Sequence, residues 1–136
     1  MTGVQTCALP ILRDSVITLA SIIQREAARN AELPRIAGVY ANRLKQSMRL
    51  EADPTLQYGR DLHITRGDLR DASNPYNTYR HAGLPPGPIC NPGKEAVRAA
   101  LAPEQHTYLF FVARGDSSNE HWFAATYAEH QQNVRL

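Results

Sequence analysis

Residues 15–47 read SVITLASIIQREAARNAELPRIAGVYANRLKQS, and this stretch decides the fold. At about 100° per residue, Val16, Leu19, Ala20, Ile22, Ile23 and Ala27 fall on one broad face, the period of an amphipathic helix. With Asp14 or Ser15 as N-cap, a first helix is predicted over Ser15–Ala28. A second helix is predicted from Leu33 to about Ser47, with Pro34 in its first turn and Leu33, Ile36, Ala37, Tyr40 and Leu44 in one stripe. Asn30–Glu32 joins the two into a helical hairpin.

Beyond the hairpin, Met48 to Asn91 is dense in turn formers (ADPT, SNPYN, GLPPGPICNPG), which prevent long helices and interior strands. Leu50, Leu56, Tyr58, Tyr76, Tyr79, Leu84 and Ile89 recur through it, so it is expected to be an ordered, tightly turned, substrate-facing segment. Asn91-Pro92 then precedes a short helix to about Leu101. Tyr108–Ala113 reads as a strand, GDSSNE as its turn and His121–Ala124 as the return strand, and a last helix covers Thr126–Val134. The expected class is α+β: a helical hairpin, a long Pro/Gly-rich ordered loop region, a small β-hairpin and a terminal helix.

The 136 residues carry 43% apolar and 21% charged side chains with a net charge of +2, the balance of one ordinary globular domain. That charge gives no electrostatic footprint for nucleic acid. No apolar run of about eighteen residues occurs, so no membrane contact is expected from this chain itself. The first eleven residues, MTGVQTCALPI, are charge-free and without an apolar period. They resemble the translation of a sequencing adapter, so residues 1–11 are expected to be a scar and residues 12–136 the domain proper. Cys7 would then be foreign, leaving Cys90 as a lone thiol with no CxxC partner.

Glu26 stands out among groups that could do chemistry. With Val16 at zero it projects at about 280°, between Ile22 near 240° and Leu19 near 300°. A carboxylate inside an apolar stripe is desolvated, which raises its pKa and suits it to general-acid work. The other reading is a rim glutamate paired with Arg25, Arg29 or Arg43. The five histidines (His63, His81, His106, His121 and His130) show no metal-ligand spacing. Gly83, Gly87 and Gly93 form no phosphate-cradling motif, and no serine has a nucleophile-elbow context. Arg35, Arg43, Lys45 and Arg49 read as a solvated helix face.

Five blocks in this order, LASIIQREA, IAGVYANRL, MRLEADPTLQYG, NPYNTYRHAGLPPGPICNPG and YLFFVA, resemble the endolytic murein transglycosylase (YceG-like) family, from about Leu19 to Val134. The resemblance implies a bacterial lytic transglycosylase that cuts nascent peptidoglycan glycan strands, without metal or cofactor. It also implies an N-terminal inner-membrane anchor and a LysM-like subdomain upstream, both missing from this fragment, and a catalytic domain on the extracytoplasmic face. Peptidoglycan synthases are the partner class the family suggests. The family's catalytic glutamate, in a segment commonly written EKET, falls on Glu26. Here that segment is Gln24-Arg25-Glu26-Ala27, so the first carboxylate and the threonine hydroxyl are both absent. The matching DPT and tyrosine-rich blocks suggest Asp53, Thr55, Tyr58, Tyr76, Asn77 and Tyr79 as substrate-binding positions.

The implied chemistry uses one carboxylate twice. Glu26 would protonate the leaving oxygen of the MurNAc–GlcNAc β-1,4 bond, then deprotonate the C6 hydroxyl that closes on C1 to give a 1,6-anhydro end. Two alternatives remain open on sequence. One is a muramidase-type hydrolase with Glu32, Glu51 or Asp53 as second carboxylate. The other is a non-catalytic carbohydrate-binding module in which Tyr58, Tyr76 and Tyr79 stack on sugar faces.

Overall fold

A computed structural model describes the backbone of residues 2–60 and 63–136, and the side chains of that set from Arg13 onward. Helix α1 spans Thr2–Glu26, a 3-10 turn covers Asn30–Glu32, and α2 spans Leu33–Lys45 with a proline in its first turn. The hairpin expected from the apolar period is therefore present, but α1 does not begin at Asp14 or Ser15. Both lie inside it, preceded by Ile11, Leu12 and Arg13, which are competent helix residues. The helix ends at Glu26, two residues before the expected Ala28, a difference of the size that fraying at a helix end produces. The expectation that residues 1–11 offer no face to pack falls on side chains outside the described set.

The core gathers one face from each helix. Leu19, Ala20, Ile22 and Ile23 of α1 meet Leu33, Ile36, Ala37 and Tyr40 of α2. The third face comes from α5 (Lys94–Leu101), whose Ala96, Ala99 and Ala100 let it approach both. α5 starts one residue after its Gly93 cap, slightly later than the Asn91-Pro92 signal suggested. Full burial of each isoleucine or leucine here contributes roughly 1.5–3 kcal/mol. Among the described residues no helix is long and apolar enough to cross a membrane.

A strap made of residues 104–109 fixes the β-hairpin to α2. It crosses at Gly38, where a Cβ would lie 2.5 Å from the Glu104 carbonyl oxygen and from His106 Nε2. Asn42 Nδ2 donates to the carbonyls of His106 and Tyr108, at 2.8 and 2.9 Å, and Arg43 Nε donates to that of Leu109 at 2.7 Å. Strand β1 (Phe110–Ala113) then pairs antiparallel with β2 (His121–Ala124), Phe110 opposite Ala124 and Ala113 opposite His121. The buried Glu32 carboxylate ties β2 back to the helical hairpin, accepting from His121 Nδ1 at 2.8 Å and from its backbone N–H at 3.0 Å. Helix α6 (Tyr127–Val134) packs on both strands, its N-terminus closed by a reciprocal capping box between Thr126 and Glu129.

Among the described residues, the segment 48–91 forms tight turns as expected and holds two five-residue helices, α3 (Asp53–Gln57) and α4 (Arg66–Arg70). Its turns are held by buried side chains. Asn77 Nδ2 lies 2.9–3.2 Å from the carbonyls of Asp68, Leu69 and Asp71. Thr55 and Thr78 pair at 3.0 Å beside Ala52.

Candidate active site

Glu26 is the last residue of α1, so the chain leaves the helix where its carboxyl opens into a cavity of about 290 Å³. α2 contributes Tyr40 and Arg43, the turn into α3 contributes Glu51 and Asp53, and the 74–81 loop contributes Tyr79. The far elements contribute Phe110 and Phe111 of β1 and Tyr127 and His130 of α6. Residues from the two long helices, the irregular middle, the hairpin and the terminal helix therefore converge on this one cavity.

The electrostatics favour a proton on Glu26. Burial first, and then the negative charge of Asp53, push its carboxyl from 4.5 to about 7, while a hydrogen bond with the Tyr40 hydroxyl works the other way. Its place at a helix C-terminus, where carbonyl dipoles point outward, opposes the charged form as well. Among the described residues no ion pair includes Glu26, so the rim-glutamate reading with Arg25, Arg29 or Arg43 is not what the fold builds. Asp53 is held by the Tyr79 hydroxyl, which donates to its Oδ1 at 2.5 Å. Burial and that bond keep the Tyr79 phenol well above its ordinary range, so it is a neutral donor. Glu51 reaches the cavity through a left-handed backbone at φ +50°, a strained conformation for a non-glycine residue, fixed by its N–H to the Thr78 carbonyl at 3.3 Å.

Of the site residues expected from sequence, the fold brings Glu26, Asp53 and Tyr79 together. Thr55 and Asn77 lie elsewhere: both are 0% exposed, with polar atoms committed to the turns that carry Asp53 and Tyr79. In this fold neither lines the cavity, and both hold those turns in place. Tyr58 and Tyr76 pack on one another with centroids 4.6 Å apart and planes inclined by 30°, and Tyr58 lines a separate depression with Arg25, Pro54 and Ile89. Of the segment 48–91 expected to face substrate, Leu50, Glu51, Asp53 and Tyr79 line the cavity, whereas the proline-rich stretch does not. It straps α1, with the Ile89 N–H donating to Ser21 Oγ at 3.0 Å and the Gly93 N–H to Gln24 Oε1 at 2.7 Å. Of the three possible second carboxylates, Glu51 and Asp53 share the cavity, whereas Glu32 is bound to His121 and does not line it.

Sequence reasoning missed much of the wall. Arg43, read as part of a solvated face, is 7% exposed and donates to the carbonyls of Leu109, Arg49 and Leu50, with Glu51 at 3.8 Å. Its helical position one turn from Tyr40 was the available hint, and the stripe of apolar neighbours masked it. Tyr40 appeared only as core, because periodicity reports the face a ring occupies and not where its hydroxyl ends. Phe110, Tyr127 and His130 carried no local signal, since only packing of α6 against β1 brings them here.

A family model described as YceG-like matches residues 7–136 of the chain. An endolytic murein transglycosylase from Bacillus subtilis (strain 168) is 42% identical over 119 residues, 86% of this chain and 32% of the relative. One from Streptococcus pneumoniae serotype 2 is 28% identical over 128 residues, 89% of this chain and 23% of the relative. The crystal structure of a yceG-like protein from Listeria monocytogenes superposes with a TM-score of 0.80 at 42% identity, covering 86% of this chain and 38% of that one. The chain thus spans about a third or less of the length of the curated relatives it matches. With the match covering all but the first six residues, the chain belongs to the YceG-like family.

Proposed function

We propose that this chain is the catalytic part of an endolytic peptidoglycan lytic transglycosylase, cleaving the MurNAc–GlcNAc β-1,4 bond with formation of 1,6-anhydro-MurNAc ends. The observation that carries the reading is the Glu26 carboxyl, titrating near 7 on a cavity wall with a tyrosine hydroxyl beside it. A group at that value is available both as acid and as base near neutrality, which a one-carboxylate mechanism requires.

In the first half-reaction the protonated Glu26 gives its proton to the oxygen leaving toward C4 of N-acetylglucosamine, and positive charge spreads over C1 and the ring oxygen of the muramyl residue. Asp53, held by Tyr79, adds a negative potential that both keeps the Glu26 proton in place beforehand and favours the developing cation. In the second, the Glu26 carboxylate takes the proton of the C6 hydroxyl while its oxygen bonds to C1. No water is consumed, and Glu26 ends protonated again. The Tyr40 hydroxyl donates to the carboxylate between these steps.

The substrate is then peptidoglycan glycan strands, and the site of action the extracytoplasmic face of the bacterial inner membrane, the longer parent protein being anchored upstream of residue 12. Peptidoglycan synthases are the partners that would supply nascent strands. The boundary between a foreign 1–11 and a domain of 12–136 belongs to the same proposal. A specific observation also favours the muramidase-type hydrolase as the alternative, because Glu51 and Asp53 share the cavity with Glu26. Mass spectrometry of digested uncrosslinked glycan distinguishes them. Anhydro ends are expected; reducing ends one water heavier would replace this reading with the hydrolase, and unchanged glycan would leave a binding module.

A further inference from the structure

The cavity wall built by β1 and α6 carries a polar group that the reaction above does not use. The His130 ring stacks on Phe110, with centroids 5.2 Å apart and planes inclined by 22°. The Arg43 guanidinium lies 5.0 Å from the centroid of the same phenylalanine. His130 Nδ1 is buried and has no hydrogen-bond partner among the described residues. A buried N–H without an acceptor costs more than an under-used acceptor, so this nitrogen is best left bare. The proton of the neutral ring then sits on Nε2, and the ring lines the cavity. The imidazolium would need an N–H at both positions, and burial, followed by the charge of Arg43, disfavours it further.

Nε2–H is thus a neutral donor set beside aromatic surface, the half-buried Phe110 and the exposed Tyr127, whose rings lie 5.7 Å apart. Arg43 is already engaged through Nε and Nη1 with backbone carbonyls. A donor next to an apolar patch matches an N-acyl group, in which the carbonyl oxygen takes the hydrogen bond and the methyl group covers the rings. We propose that this wall is an N-acetyl subsite for an amino sugar, with His130 donating from Nε2 to the acetamido carbonyl. It rests on the glycan reading above and names the group by which the cavity distinguishes one β-1,4 glycan from another.

Chitohexaose and cellohexaose test it, because they share the β-1,4 backbone and differ at C2, acetamido against hydroxyl. In calorimetric titrations the unaltered protein is expected to bind chitohexaose about tenfold more tightly, the factor one neutral hydrogen bond supplies. His130→Phe keeps the stack on Phe110 and removes the donor. It should lose the preference while its thermal midpoint stays level or rises, since a buried unpartnered nitrogen has gone. A merely structural histidine would give the reverse, lower stability with the preference intact. His130→Gln restores a donor and should recover part of the discrimination. Retention of the preference by folded His130→Phe overturns the subsite, as does a 15N spectrum showing the Nδ1–H tautomer or an imidazolium near pH 7. Binding of both sugars without preference by the unaltered protein overturns the subsite alone, and binding of neither overturns the glycan reading with it.

Discussion

Glu26→Gln changes almost no volume, keeps a hydrogen-bonding head for Tyr40 and removes the one proton the proposed chemistry moves. Two consequences can be worked out, and they have opposite signs. Positioned acid–base catalysis contributes about 10²–10⁴-fold, and here one group carries both transfers, so anhydro-muropeptide release should fall at least by that factor. Stability should move the other way. The carboxyl titrates at about 7 in the fold against an ordinary 4.5. At about 1.36 kcal/mol per pKa unit, the folded protein forfeits on the order of 3 kcal/mol when this group is ionised. Because the folded value is the higher one, the favourable state exists in full below about pH 4.5 and is lost as pH rises through 7. The glutamine carries no such dependence. It should therefore match the unaltered chain at about pH 4 and exceed it at about pH 8, by roughly 10 °C in thermal midpoint for a domain of this size. The assays are mass spectrometry of muropeptides and calorimetric melts at the two pH values. Near-unaltered turnover would refute the mechanism. A stability difference that is the same at both pH values would refute the desolvated carboxyl on which the mechanism stands.

Asp53→Asn removes a charge that raises the Glu26 pKa, so the Glu26 titration followed by carbon-13 NMR should move to lower pH, and the descending limb of kcat/KM with it; an unmoved titration would show that Asp53 does not act on Glu26. Arg43→Met leaves the carbonyls of Leu109 and Arg49 without their donor, and a loss of roughly 3 kcal/mol is expected in denaturant melts, where a solvated side chain would give less than about 0.5. Deleting residues 1–11 is expected to leave the thermal midpoint nearly unchanged, because that stretch has no apolar period with which to pack; a fall of many degrees would show that it contributes to the stability of the domain.

Some of this molecule was legible in the residues themselves. The 3.6-residue period placed both helices of the hairpin, and the turn residues GDSSNE placed the β-hairpin, with β2 at His121–Ala124 and β1 starting at Phe110, two residues after the expected Tyr108. Those features are local: they depend on neighbours within a turn or a strand, which the order of residues carries directly. The angle of Glu26 within an apolar stripe was local too, so its perturbed acidity was foreseeable. The start of α1 was not, because a good cap residue decides a helix boundary only when the chain ahead of it abandons the helix.

What the tertiary structure alone decided is which side chains share the cavity. Asp53, at the start of α3, and Tyr79 lie 26 residues apart in sequence and meet through one hydrogen bond. Thr55 and Asn77, from the same motifs, turn inward and hold those segments from behind. A motif records that neighbouring residues matter together, and not which of them faces substrate. Arg43 and His130 make the point most plainly. Arg43 reads as solvated because charge on a helix usually seeks water, and His130 sits on a terminal helix with nothing nearby in sequence to single it out. Only the docking of the 104–109 strap and of α6 against β1 buries one and sets the other on the cavity wall, and such contacts between distant segments have no signature in local sequence.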